Sequence, residues 1–312
     1  MRIPLRRVRI WTTVVESRSV YGGTAHADKE MRIVARLGQG RMHVAGLMAL
    51  VSLVVATGGC NHRNLGIEPC RGKVKGLLTA EAEAQAELVQ RDPVAYMEYV
   101  ADECQALEQY TLTFTRHERR GLFQKLYGPE HIHCWFRREP FSVRMKWLDE
   151  DVKYGESVYV EGQRDSKVRF VTRWWSPPLR PPPSVNEVDV QTPVFWGEAK
   201  RPMTDFGVER LMQRTLKSVR DAGSLVSVTY EGLVQLPDGG PTVHAIHVEY
   251  EEGLRATPFQ ELYIDVATDL PAGTVLKLPS GKIDAAYFYA DIDANVELTD
   301  GDFVLEAERD GT

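Results

Sequence analysis

The sequence predicts one α+β domain of about ten antiparallel strands with two or three helices packed on the sheet. Most segments after residue 108 alternate apolar and polar side chains with a period of two. Shorter segments repeat apolar residues at helical spacing, and clusters of Gly, Pro, Asp and Ser separate them.

Taken in order, Thr79 to Gln90 is rich in Ala and Glu and predicts a first helix. Asp92-Pro93 has the form of an N-cap followed by proline at the first helical position. Met97, Val100, Ala101, Cys104 and Leu107 then supply the buried stripe of a second helix. The period changes at Tyr110, where Tyr110, Leu112 and Phe114 face one way and Thr111, Thr113 and Thr115 the other. Segments 132–137, 141–147, 157–161 and 167–172 continue as an antiparallel meander. From Trp174 to Pro183, five prolines within seven residues exclude helix and ladder pairing and predict a loop. A further helix is expected over 206–221, with Asp205 as its N-cap, a stripe of Val208, Leu211, Met212, Thr215 and Val219, and Gly223 as its stop. Strands resume over 225–236, 242–250, 259–266, 274–278 and 283–298, with turns at Pro237-Asp238-Gly239-Gly240 and Pro279-Ser280-Gly281.

The N-terminal residues have a different character. No Asp, Glu, Lys or Arg occurs between Arg41 and Arg63, and Val44 to Thr57 is an almost unbroken apolar run. Arg32, Arg36 and Arg41 precede this run, and Thr57-Gly58-Gly59 leads into Cys60. Fourteen residues of helix rise about 21 Å against a hydrocarbon core of roughly 30 Å, so the run reads as a signal-peptide core ahead of a lipobox. A cleaved signal with a coincidental cysteine and an uncleaved anchor are the other readings. The expected organisation is a leader over 1–59, of which 1–30 reads as a misassigned start and 31–59 as the lipoprotein signal. A tether over 60–78, a domain over 79–305 and a tail over 306–312 follow.

The chain has a net charge of −6. Residues 1–59 hold nine Lys/Arg and three Asp/Glu, which leaves 29 basic and 41 acidic residues and a net charge of −12 for the remainder. A surface so acidic repels phosphate and argues against a nucleic-acid partner. Beyond Cys60 the cysteines are Cys70, Cys104 and Cys134. An oxidising envelope permits a Cys104–Cys134 disulfide, with two buried free thiols as the equal alternative.

Four segments carry a resemblance. They are Arg138-Glu139-Pro140-Phe141-Ser142-Val143, Val158-Tyr159-Val160-Glu161-Gly162, Thr204-Asp205-Phe206-Gly207-Val208-Glu209-Arg210-Leu211 and Leu298-Thr299-Asp300-Gly301-Asp302-Phe303. Over 110–303 the chain resembles a bacterial family of unknown function (domain of unknown function family 1571) placed near the lipoprotein-localisation proteins LolA and LolB. The resemblance implies a strongly curved antiparallel sheet, an incomplete LolA-like barrel, whose concave interior receives acyl chains. With Cys60 acylated, the arrangement is similar to the membrane-tethered LolB type. Phe114, Val143, Met145, Trp147, Val160 and Tyr287 are then the candidate ligand face. The expected partners are a membrane, reached through the anchor, and a lipid or other hydrophobic ligand. Asn61, where Asp would signal inner-membrane retention, points to the outer membrane.

The remaining candidates are weaker. His131 and His133 share a strand face, but two ligands do not make a zinc site, and His244 and His247 point to opposite faces. Asp149-Glu150-Asp151 lacks the spacing of a calcium loop and reads as a turn. No nucleophile elbow, P-loop or dinucleotide fingerprint occurs, so neither catalytic residues nor a cofactor are expected. Trp174 and Trp175 either cap an open edge of the sheet or face a membrane or partner. A non-catalytic envelope scaffold is the first rival reading, and a hydrolase whose site is assembled from distant residues is the second.

Overall fold

A computed structural model describes residues 66–69, 80–121, 123–173 and 184–309. The leader, Cys60, Cys70, Trp174 and Trp175 lie outside these residues. Two helices, α1 (Ala80–Arg91) and α2 (Pro93–Gln105), precede six strands: β1 (Gln109–Arg120), β2 (Lys125–Arg137), β3 (Ser142–Trp147), β4 (Tyr154–Val160), β5 (Lys167–Thr172) and β6 (Val185–Asp189). A single helical turn, α3 (Thr192–Phe195), and the long α4 (Val208–Ala222) lead to β7 (Val226–Gln235), β8 (Thr242–Tyr250), β9 (Phe259–Asp265), β10 (Pro271–Lys277) and β11 (Ile283–Asp293). A last short helix is α5 (Glu306–Arg309).

All eleven strands form one antiparallel sheet in the order β6-β5-β4-β3-β2-β1-β11-β10-β9-β8-β7. Each half is a meander, and the halves join where β1 pairs with β11. Among the described residues β6 and β7 do not pair, so the sheet stays open. One hydrophobic cluster takes in Val168 near one edge and Tyr230 at the other, together with α2 and α4 residues. A flat sheet of this width could not bring them together, so the sheet curves around its helices. The α+β antiparallel sheet that fails to close is the fold class expected. β6 is an addition: its polar, half-buried edge pattern gave no clean alternation.

Asp92 caps α2 as expected, accepting from the Ala95 amide at 2.9 Å. The other helix start differs. Asp205 does not cap α4; it pairs with Arg201 at 3.0 Å and Arg214 at 2.6 Å. The N-cap is Gly207, at φ 123°, and the Tyr110 hydroxyl accepts from the Val208 amide at 3.2 Å. A Cβ at position 207 would stand 3.0 Å from that hydroxyl and 3.2 Å from the Phe136 ring. Glycine is therefore required twice, by its backbone angle and by this close approach.

Two of the family-like segments act as clips. Arg138 donates to the backbone carbonyls of Gln105 and Leu107, each at 2.8 Å, and to Glu209 at 2.7 Å, tying the end of α2 to the start of α4. Asp302 accepts from the Thr299 amide and hydroxyl, both at 2.8 Å, in a reciprocal capping box. That turn seats Phe303 on the outer face against Val158 and Val160.

Residues from the expected tether and the expected tail both lie against the sheet. Glu306 accepts from Lys146 at 2.6 Å, and Glu308 pairs with Arg169 at 2.5 Å, because outward-facing cations on β3 and β5 hold them. Within the expected tether, Ile67 packs on the outer cluster formed by Val243, Tyr263 and Val275, and Glu68 pairs with Lys277 at 2.7 Å. The chain thus docks on the sheet before α1 begins.

Candidate functional site

Strand alternation builds the site. Along β1 it turns Leu112, Phe114, Arg116 and Glu118 to the concave side. The register β1 shares with β11 places Tyr289 opposite Phe114 and Tyr287 opposite Arg116. Phe114 stacks on both tyrosines, with ring centroids 5.4 and 5.8 Å away, and meets Phe206 edge-on at 5.4 Å. Met145 and Trp147 of β3 extend this apolar floor. The segment between β6 and α4 forms the roof through Pro193, Trp196, Met203 and Phe206. Floor and roof border a cavity of about 130 Å³ that is partly open to solvent.

Ion pairs fix the roof. Lys200 meets Asp284 of β11 at 2.9 Å, Lys153 meets Glu198 at 2.7 Å, and Arg120 donates to the Glu198 carbonyl at 3.0 Å. Below it, Glu130 accepts from Arg116 at 2.5 Å and from the Trp147 indole at 3.1 Å, and it pairs with Arg120. Burial alone would raise the Glu130 pKa, but Arg116 and Arg120 overcome it and hold the carboxyl at about 2. Tyr287 donates to Glu118 at 2.5 Å, and burial with that carboxylate beside it keeps the phenol protonated well above its usual range.

Of the expected ligand face, Phe114, Met145, Trp147 and Tyr287 line this cavity, whereas Val143 is packed in the concave core away from it. Val160 is a correction. It lies on the outer face with Val158, Phe303 and Leu305, because it pairs with outward-facing Ser142, and it is Tyr159, opposite Val143, that turns inward. Cys104 and Cys134 are free, buried thiols, so of the two alternatives the bridge is the one not formed. Both lie near the Tyr110 phenol and pack as small apolar groups. Burial pushes the Cys104 thiol up to about 12 and raises the Cys134 thiol well above its ordinary value. His131 sits 3.0 Å from Asp149 and His133 packs edge-on against Trp135, so each ring is occupied separately.

Arg116, Glu118, Glu130 and Trp196 were not among the expected site residues. A signal existed for the first two: the β1 alternation runs on past Phe114 and puts charged side chains at inward positions, which is costly unless they are paired.

The family described as "Protein of unknown function (DUF1571)" matches residues 107–309. No curated protein matches the sequence. Among solved structures the chain is similar to MucB, with 13% identity over 69% of this chain and 64% of that one at a TM-score of 0.42. It is similar to the Mycobacterium tuberculosis lipoprotein LppX, with 11% identity over 67% of this chain and 100% of that one at 0.39. A LolA superfamily protein from Nitrosomonas europaea shares 6% identity over 68% of this chain and 97% of that one at 0.29. The chain spans less than two thirds of the length of the MucB chain.

Proposed function

We propose, from the premise that this chain belongs to the DUF1571 family of proteins of unknown function, that it is a membrane-anchored cell-envelope lipoprotein whose concave face binds a hydrophobic ligand. The half-open aromatic cavity under the roof segment carries this reading, since apolar surface left uncovered in a concavity is stabilised by an apolar occupant. Acylation of Cys60 would hold the domain at a membrane, the outer membrane by the identity of Asn61, after removal of residues 1–59. Trp174 and Trp175 would then meet the membrane interface or a partner. The reading is non-catalytic; Glu130, bound to Arg116 of the cavity lining, is held at about 2 and is a poor base.

The test is lipid extraction from natively purified protein. A reproducible, stoichiometric apolar molecule, lost when Trp147→Ala opens the floor, is the expected result; its absence would return the protein to a scaffold. That second reading draws on α2 and α4, which already fill the concavity over β7 to β10. Mass spectrometry of the mature N-terminus tests the anchor, and an unmodified Cys60 removes it. Changing both Trp174 and Trp175 to Ser should weaken membrane or partner binding while the domain stays folded.

A further inference from the structure

Large apolar side chains left in water are unevenly distributed over the sheet. Strand register aligns the turns 121–124, 148–153, 251–258 and 278–282 at one end of the strands. The turns 138–141, 161–166, 236–241 and 266–270 lie at the other. Among the described residues, Phe123, Tyr127, Leu148, Leu225 and Leu254 are exposed at or beside the first end, and no large apolar side chain is exposed in those turns of the second. Phe123, at the tip of the β1–β2 hairpin, is the extreme case at 91% exposed. A scatter of single residues would need no explanation, but a bias to one end does.

The tip has the composition of an interfacial finger. It turns where Arg120 pairs with Lys125. Arg119 donates to the backbone carbonyls of Ile283 at 2.6 Å and Gln124 at 3.0 Å, bonds that fix the tip without cancelling the guanidinium charge. The Arg120 guanidinium and the Lys125 ammonium lie 5.2 and 5.5 Å from the centre of the Tyr127 ring. An exposed aromatic ringed by cations suits the boundary between lipid headgroups and acyl chains. The other turns at this end hold Asp149, Glu150, Glu251 and Glu252, which lipid phosphates repel, so contact is confined to the tip.

The chain ahead of α1 meets the sheet at this same end. Glu68 pairs with Lys277 at 2.7 Å, Lys277 lies opposite Ile283, and the Ile283 carbonyl takes the Arg119 bond. Ile67 and Leu126, the latter three residues beyond Phe123, pack on one cluster. Glu68 is eight positions after Cys60, and eight residues span at most about 28 Å. An anchor on so short a lead keeps the Lys277 end of the sheet beside the bilayer.

We infer that the tip of the β1–β2 hairpin is a membrane-docking element: Phe123 enters the bilayer interface, and Arg119 and Lys125 meet lipid phosphates. This rests on the anchored reading above and gives it an orientation.

The test uses the acylated full chain reconstituted in vesicles of phosphatidylethanolamine and phosphatidylglycerol, with a polarity-sensitive fluorophore on Phe123→Cys. In a Cys70→Ser background only the introduced thiol reacts, since Cys104 and Cys134 are buried. The reference is the same probe on Ala267→Cys, in the β9–β10 turn at the far end. Both positions are exposed, so neither change threatens the fold. Emission from position 123 should shift to the blue and be quenched by brominated acyl chains, while that from 267 does neither. Lys125→Glu should move the 123 probe about tenfold towards water, because an anion replaces a cation at an anionic surface. Equal emission at the two positions, or a 123 signal indifferent to Lys125→Glu, would overturn the inference. So would a 123 probe that stays in water, which leaves the tip to a protein partner; all three outcomes leave the anchor standing. An unmodified Cys60 removes the anchor reading instead, and the 123 probe on the unacylated chain, mixed with the same vesicles, then decides the tip alone: immersion upholds it and water overturns it.

Discussion

The two halves of the sheet present the same kind of concave surface and use it differently. Over β7 to β10 the inward side chains Tyr230, Ile246, Leu262 and Ile264 are buried beneath α1, α2 and α4. Gln260 is bonded to Thr215 of α4 at 3.0 Å, and Ser218 lies 2.5 Å from the Tyr250 hydroxyl. Over β1 to β6 the inward residues Phe114, Met145, Trp147 and Val168 meet an irregular roof that leaves a cavity. Strand pattern does not distinguish the halves, because both are inward-apolar with a period of two. A regular helix can fill a concavity with side chains at every turn, whereas a roof pinned by a few ion pairs spans it without filling it.

Truncation tests this contrast most directly. Leu262→Ala in the filled half should lower unfolding free energy by roughly 2–5 kcal/mol, since it empties a sealed site. In denaturant titrations Met145→Ala, which widens a space already open, should cost only roughly 1–2 kcal/mol. Equal losses would abolish the distinction between the halves.

Acid should also strike the filled half first. His244 is fully buried beside Tyr230 at 2.9 Å and against the Tyr96 ring, and burial lowers its pKa to about 4 from 6.5. The unfolded chain takes up its proton at higher pH than the folded one does. The native state is therefore fully favoured above about pH 6.5 and loses about 3 kcal/mol as pH falls to about 4, with no further loss from this group below that. Thermal melts across this range, compared with His244→Phe, should show the slope vanish in the variant. Glu130, beside the cavity, has the same sign in a lower window: its stabilisation is present above about pH 4.5 and lost as pH falls towards about 2.

Gly207 joins the two regions, lining the cavity and starting the helix that fills the other half. Gly207→Ala should cost roughly 1–3 kcal/mol through backbone strain and the contact with Tyr110, and it should disturb ligand binding as well as stability. Melts and lipid retention measured together check both. The smallest effect expected is at Asp92, where the Ala variant should lose about 1 kcal/mol of stability without touching the cavity.

Much of this was legible in the residues. Strand alternation, the α2 cap and the stripe from Val208 to Val219 are local, depending on neighbours within a few positions, and they emerge where expected. Asp205 misled because it matches an N-cap by sequence, and only the Tyr110 hydroxyl, 98 residues away from Val208, displaces it. Val160 misled because alternation gives parity along a strand and not which parity faces inward; the C-terminal strap, by covering it with Phe303, decides that.

By itself the sequence determined the α+β class, the antiparallel meanders, the helix stripes and the acidic balance, all consequences of periodicity and composition. Only the tertiary structure decided that Cys104 and Cys134 remain free. It alone brought Arg116, Glu118 and Glu130 together beneath residues 193–206. The reason is physical: burial and charge pairing depend on which distant segments arrive at a surface, and a period of two carries no record of what will cover it.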